Sequence, residues 1–173
     1  MRLFISINLT EDMKDAIMDI QDSMMFIGVQ GNFTKPGNMH LTLAFIGDYP
    51  DPDEVVDVIG ELDMEPFELA LEGMGSFHRL WWVGTEKSEP LMKLTKKLRH
   101  RLAEGGIPFD NKKFKPHITI LRNPRGANDY RPEREVERLS RAHMKVDHIS
   151  LMRSDRGKHG MAYTELARIP LEK

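Results

Sequence analysis

Two short stretches restrict this chain more than any other feature. One is Lys35-Pro36-Gly37-Asn38-Met39-His40-Leu41-Thr42-Leu43-Ala44-Phe45, and the other is Lys115-Pro116-His117-Ile118-Thr119-Ile120-Leu121-Arg122. Each follows a Lys-Pro pair, carries His, apolar, Thr, apolar, and reads as a buried strand. Side chains two apart in a strand share a face. His40 and Thr42 therefore share one face and His117 and Thr119 another, while Leu41, Leu43, Ile118 and Ile120 turn into a core. An imidazole beside a hydroxyl is a proton-transfer group beside a hydrogen-bond donor. Two such pairs, one in each half of the chain, predict a duplicated fold that closes two matching half-sites around one ligand.

The rest of the sequence narrows the chemistry. With 173 residues, 40% hydrophobic and 30% charged, the expectation is one globular domain over 1–173, built as two lobes sharing a core. No apolar run approaches the roughly 18 residues of a membrane span. Met1 to Ile7 is too short for a signal peptide and has no small-residue cleavage site, so a cytoplasmic location and no membrane partner are expected. The absence of cysteine excludes disulfides, thiolate metal ligands and a cysteine nucleophile. A net charge of −2 excludes general polyanion binding and leaves any nucleic-acid contact to a local basic patch. A monomer is expected.

Hydrophobic periodicity predicts a strand over Arg2 to Asn8. Next comes a helix capped by Thr10 and ended by Gly28, with Met13, Ile17, Ile20, Met24 and Ile27 as its buried stripe. Val29 to Phe33 reads as extended, His40 to Ile46 as the first motif strand, and Asp53 to Leu62 as a short helix. Strands at Phe67 to Leu71 and Leu80 to Gly84 precede a helix capped by Ser88, with Leu91, Leu94, Leu98 and Leu102 inward and Gly105-Gly106 as its stop. The second motif strand spans Pro116 to Leu121. It is followed by a polar loop to Tyr130, a charged helix over Pro132 to Arg141, and strands Met144 to Arg153 and Met161 to Ile169 joined by a long basic tip. The class is α+β: antiparallel sheets with helices on their outer faces and a cleft between the free faces.

Hydrolysis of a phosphate ester needs a group to take a proton from water, a group to protonate the departing oxygen, and donors for the non-bridging oxygens. A histidine titrating near 6.5 serves either proton job, each contributing about 10² to 10⁴ in rate. Thr42 and Thr119 would supply the donors. Two His-x-Thr strands thus provide all three functions with no metal and no cofactor. A strained 2′,3′-cyclic phosphate, as carried by cleaved RNA ends, is the easiest substrate for such a pair. Arg122 is a further phosphate-binding candidate: its strand parity differs from that of His117, but it sits at the strand end, where a bend would bring it to the phosphate. Phe33 and Tyr163 suit either base stacking or core packing. Lys112, Lys113 and Lys115 suit either steering of a polyanion or plain solvation. Lys93, Lys96, Lys97, Arg99 and Arg101 read as the polar face of their helix, and Arg153, Arg156, Lys158 and His159 form an RNA-contact candidate at the hairpin tip. His78, His100, His143 and His148 lack a matching partner and are expected on the surface or in the core. A metal site is disfavoured, because no His-x-His and no carboxylate cluster lies near either motif.

These residues resemble the two-histidine phosphoesterase superfamily, in particular the RNA 2′,3′-cyclic phosphodiesterases also called 2′-5′ RNA ligases. The resemblance spans Arg2 to Ile7, Asn38 to Gly47, Gly75 to Phe77 with Leu80 to Gly84, Phe114 to Arg122, and Ser150 to Tyr163 with Gly160 between. It implies two pseudo-symmetric lobes, His40 and His117 as the catalytic pair, and Thr42 and Thr119 on the phosphate. The implied reaction opens a 2′,3′-cyclic phosphate to a 2′-phosphate, with His40 protonating the departing 3′ oxygen and His117 activating water. Strand joining to a 2′-5′ linkage is the reverse reaction, and 2′-5′ oligonucleotide cleavage and idle binding of RNA ends are the rival readings. Phe33 stands about where that family often carries Trp.

Overall fold

The computed structural model describes residues 1–135 and 141–173. Among the described residues, ten strands and three α-helices follow one another as β1 (Arg2–Asn8), α1 (Glu11–Phe26), β2 (Gln30–Phe33), β3 (His40–Asp48), α2 (Pro52–Ile59), β4 (Leu62–Asp63), β5 (Phe67–Phe77), β6 (Leu80–Thr85), α3 (Glu89–Glu104), β7 (His117–Arg125), β8 (His143–Val146), β9 (His148–Gly157) and β10 (Gly160–Glu172). They form two five-stranded sheets of order β3-β1-β9-β10-β4 and β2-β7-β6-β5-β8. All pairings are antiparallel except the two-residue contact of β10 with β4. The sheets place one motif strand each: β3 at the edge of the first, β7 between β2 and β6 in the second.

The helices sit where their apolar stripes dictate. In α1, Met13, Ile17, Ile20 and Met24 are buried to within 1% exposure, so the three-to-four spacing holds as far as Met24. Ile27 does not join them and is 45% exposed, because the helix ends at Phe26 and the chain turns away at Gly28 with φ 97°. Thr10 occupies the N-cap without a side-chain cap bond, whereas Ser88 accepts from the Leu91 N–H at 3.2 Å. In α3, Leu91, Leu94, Thr95, Leu98 and Leu102 are all buried. A single hydrophobic cluster runs through both sheets and all three helices.

Several boundaries depart from the sequence expectation, each for a local reason. The second helix stops at Ile59, since Gly60 leaves helical backbone at φ 59°, and Leu62 is buried from the short β4 instead. β5 runs past the expected end at Leu71 to Phe77. β7 continues through Asn123 to Arg125, residues assigned to a loop by their polarity. The long basic tip is not there: β9 and β10 pair as far as Gly157 with Gly160, leaving Lys158 and His159 as the turn. From Ser154 to Gly157 the strand carries only polar residues and glycine, so the period-two hydrophobic signal vanishes there. Of the charged helix expected over Pro132 to Arg141, Pro132–Glu135 is a 3₁₀ turn, and 136–140 lie outside the described residues.

Candidate active site

The two motif strands have the same burial sequence over six residues. His40, Leu41, Thr42, Leu43, Ala44 and Phe45 alternate half-buried and buried, then carry two buried residues in succession, then one exposed; His117 to Arg122 repeat this. The doubled buried position is a β-bulge. Ser6 pairs with Thr42 and Ile5 with Ala44, so Leu43 is the extra residue in β3. Trp82 pairs with Thr119 and Trp81 with Leu121, so Ile120 is the extra residue in β7. A bulge reverses side-chain parity beyond it. That is how Arg122 returns to the face of His117 and Thr119: the mid-strand bulge does it, and not a bend at the strand end. Phe45, its counterpart five residues after His40, reaches the same cleft.

His40, Thr42, His117, Thr119 and Arg122 all line one cleft of about 1210 Å³. Both imidazoles are held alike. His40 Nδ1 lies 2.7 Å from the Asn38 carbonyl and His117 Nδ1 2.6 Å from the Lys115 carbonyl. A carbonyl only accepts, so each Nδ1 carries the proton and each Nε2 is the free nitrogen. Asn38 is anchored in turn, donating from its side chain to the Met161 carbonyl at 3.0 Å. Each imidazole also has aromatic walls. Tyr163 meets His40 edge-on at 5.1 Å and Phe4 lies 4.9 Å from it. Phe77 meets His117 edge-on at 5.1 Å, with Trp82 behind at 6.5 Å. Tyr163 thus walls His40, while Phe33 lines the cleft and packs partly against the core.

Burial holds the His40 pKa below that of a free imidazole, opposed by its bond to Asn38 and reinforced by the positive charges of Arg122 and His117. These influences favour the neutral ring of His40. The lining is strongly basic for a chain of net charge −2: Arg2, Lys35, Arg99, Lys112, Lys113, Lys115 and Arg122 face one carboxylate, Asp110. Arg99 is not merely part of a polar helix face, since it donates from Nε to the Leu43 carbonyl at 3.1 Å. Of the hairpin-tip group, His159 lines the cleft and its carbonyl accepts from Lys35 Nζ at 3.1 Å, whereas Arg153 pairs with Asp155 at 3.0 Å. His100, His143 and His148 lie beside Glu104, Glu68 and Asp147 away from the cleft. Among the described residues no group of three or more His, Asp or Glu is arranged to hold a metal ion, and no helix is long and apolar enough to cross a membrane. Phe4, Phe45, Phe77 and Arg99 were not marked by sequence. The repeated apolar-apolar step after each Thr was the available signal for Phe45.

Two His-x-Thr strands facing one cleft, on a two-sheet scaffold with helices outside, define a two-histidine phosphoesterase. The chain belongs to the 2′-5′ RNA ligase superfamily, whose pattern it matches over residues 35–158. A relative from Thermotoga maritima, an RNA 2′,3′-cyclic phosphodiesterase, is 34% identical over 70% of this chain and 70% of its own length. One of the same name from Thermus thermophilus is 30% identical over 99% of this chain and 90% of its own. The crystal structure of Escherichia coli LigT complexed with 3′-AMP superposes with a TM-score of 0.81 at 26% identity, covering 99% of this chain and 98% of that one.

Proposed function

We propose that this protein, acting as one bilobal unit, is a metal-independent RNA 2′,3′-cyclic phosphodiesterase. The observation that carries the reading is the matched pair of bulged His-x-Thr strands, each presenting a free Nε2 to one cleft. The named relatives act on RNA 2′,3′-cyclic phosphates, and the basic lining here suits such an anion.

In the proposed reaction His117 Nε2 accepts a proton from water as its oxygen attacks phosphorus. The bond from phosphorus to the 3′ oxygen breaks on the opposite side, His40 Nε2–H protonates that oxygen, and a 2′-phosphate remains. Thr42 and Thr119 donate to the non-bridging oxygens, and Arg122 offsets the charge that builds there. His40 can be the acid only if it is protonated with substrate bound. The phosphate's negative charge between the two rings supplies that, opposing the burial and the Arg122 charge that keep it neutral otherwise. The nucleoside lies toward Phe45 and the Arg122 side is left to phosphate, with Phe33 on the strand that pairs with β7 beside Arg122.

The cleft exceeds the roughly 300–1,000 Å³ of a small-molecule site, so it has room for a second nucleotide. That favours an oligonucleotide over a mononucleotide substrate, and it allows the reverse, 2′-5′ joining. The decisive experiment is turnover of a cyclic-phosphate RNA with EDTA present and the products mapped. A 2′-phosphate product, lost in His40→Ala and His117→Ala, is expected. Abolition by EDTA would reject the metal-free mechanism, and binding without turnover would make the protein an RNA-end binder.

A further inference from the structure

The bulges that turn the two motif strands toward the cleft are each held by one helix side chain, and the two holders are arranged reciprocally. Gln21 on α1 is 4% exposed and donates from its amide nitrogen to the Ile120 carbonyl at 3.0 Å and to the Thr34 carbonyl at 3.0 Å. Arg99 on α3 donates from Nε to the Leu43 carbonyl at 3.1 Å and from Nη1 to the Lys112 carbonyl at 2.7 Å. Leu43 and Ile120 are the two bulge residues. In each case the second acceptor belongs to the segment leading into the other motif strand: Thr34 precedes His40, and Lys112 precedes His117. Gln21 therefore ties the bulge beside Thr119 to the approach of His40, and Arg99 ties the bulge beside Thr42 to the approach of His117.

The chemistry of each holder fits this task. Both neighbours of Gln21 are carbonyl oxygens, which fixes the amide with its nitrogen toward them. A buried amide is tolerated only when its donors are used. The Arg99 fork spans two separate chain segments, and its guanidinium lies 5.9 Å from the Phe109 ring and 5.7 Å from the Phe114 ring, both in the loop that enters β7. Backbone bonds follow the same crossed pattern, from the Thr34 N–H to the Ile120 carbonyl at 3.0 Å and from the Asp110 N–H to the Phe45 carbonyl at 2.8 Å.

We propose that Gln21 and Arg99 are a reciprocal pair of positioning residues that keep the two His-Thr half-sites in register across the cleft. The consequence for catalysis rests on the phosphodiesterase reading; the geometric coupling does not. Gln21 is uncharged and lies outside the cleft, so its effect cannot come from contact with phosphate.

The test compares Gln21→Met, Arg99→Lys and Arg99→Met with wild type and with Ile17→Val, a buried core change on the same helix that removes no hydrogen bond. Turnover of a 2′,3′-cyclic nucleotide and the imidazole NMR signals of His40 and His117 are recorded where circular dichroism shows each protein folded. Gln21→Met is expected to lower kcat about tenfold or more with KM within about twofold, and to move the ring signals of both histidines. Arg99→Lys, which keeps the charge but not the fork, should fall between wild type and Arg99→Met. If Gln21→Met fails to fold, the Arg99 pair decides alone. A kcat equal to that of Ile17→Val, with unmoved ring signals, overturns the proposal. Should wild type show no turnover, the phosphodiesterase reading fails, and the ring signals alone then decide the coupling.

Discussion

Phe45 and Arg122 occupy equivalent positions in the two halves of the protein. Each stands five residues after a motif histidine, and each is brought to the cleft by a single inserted residue in its strand. The backbone is duplicated while the chemistry is not: an aromatic ring that is 41% exposed and 5.9 Å from the Phe4 ring faces a guanidinium. Such a cleft can tell one end of a nucleotide from the other. Arg122→Gln is expected to lower kcat/KM on a cyclic-phosphate substrate about 10- to 100-fold, matching the ~1.5–3 kcal/mol of a charge-assisted hydrogen bond. Phe45→Ala should instead raise KM about tenfold, within the ~1–3 kcal/mol of a base-aromatic stack, with kcat little changed. Steady-state kinetics on one substrate separates the two, and equal effects on both parameters would contradict this division.

Removing either imidazole should be far more damaging. His40→Ala and His117→Ala are each expected to lower kcat by about 10² to 10⁴. Thr42→Val and Thr119→Val, which keep shape and lose one donor, should lose less than either. A motif histidine whose loss costs less than tenfold would not belong to the proton-transfer pair.

Most strands and their inward residues were legible in the sequence because the core imposes period on them, but the one strand expected over Met144 to Arg153 is two, β8 and β9, in different sheets, and β4 was read as the end of a helix. Leu41, Leu43, Ile118 and Ile120 are all fully buried, as alternation requires. Arg122 was a candidate from its place in the motif, but its route to the cleft was not legible, since parity counting assumes an unbroken strand and a bulge leaves no hydrophobic mark except two apolar residues in succession. Gln21 and Arg99 were hidden for another reason. A polar residue that satisfies distant backbone looks like any solvated side chain until the chain is folded. The strand end from Ser154 to Gly157 was read as a loop because its residues are polar or glycine, Ser154 being buried without an apolar side chain to mark it.

The depressed pKa of His40 ties stability to acidity. Burial, then the charges of Arg122 and His117, lower it from the 6.5 of a free imidazole. The unfolded chain therefore takes up this proton before the folded one does. The His40 contribution is fully present above pH 6.5 and is lost as pH falls from there through the folded-state value. Urea unfolding midpoints should drop across that interval in wild type, and the part due to this ring should vanish in His40→Gln. Arg122→Gln should move the His40 NMR titration upward, because a neighbouring positive charge is removed. A downward or absent shift would mean that the two side chains do not sense one another.

Gly75 offers a test of the wall behind His117. It pairs with Trp82 across β5 and β6, and a Cβ at Gly75 would lie 2.4 Å from Trp82 Cζ2. The ring must move, and it stands 5.2 Å from Phe77 and 6.5 Å from His117. Overpacking of this kind typically costs about 1–3 kcal/mol. Gly75→Ala should therefore lower the denaturation midpoint and, at a temperature where the protein is still folded, reduce kcat as the imidazole loses its backing. Gly37→Ala meets nothing within 4 Å and serves as the stability control. If Gly75→Ala unfolds at the wild-type midpoint, the indole has room to withdraw, and the wall is not the tight support these distances imply.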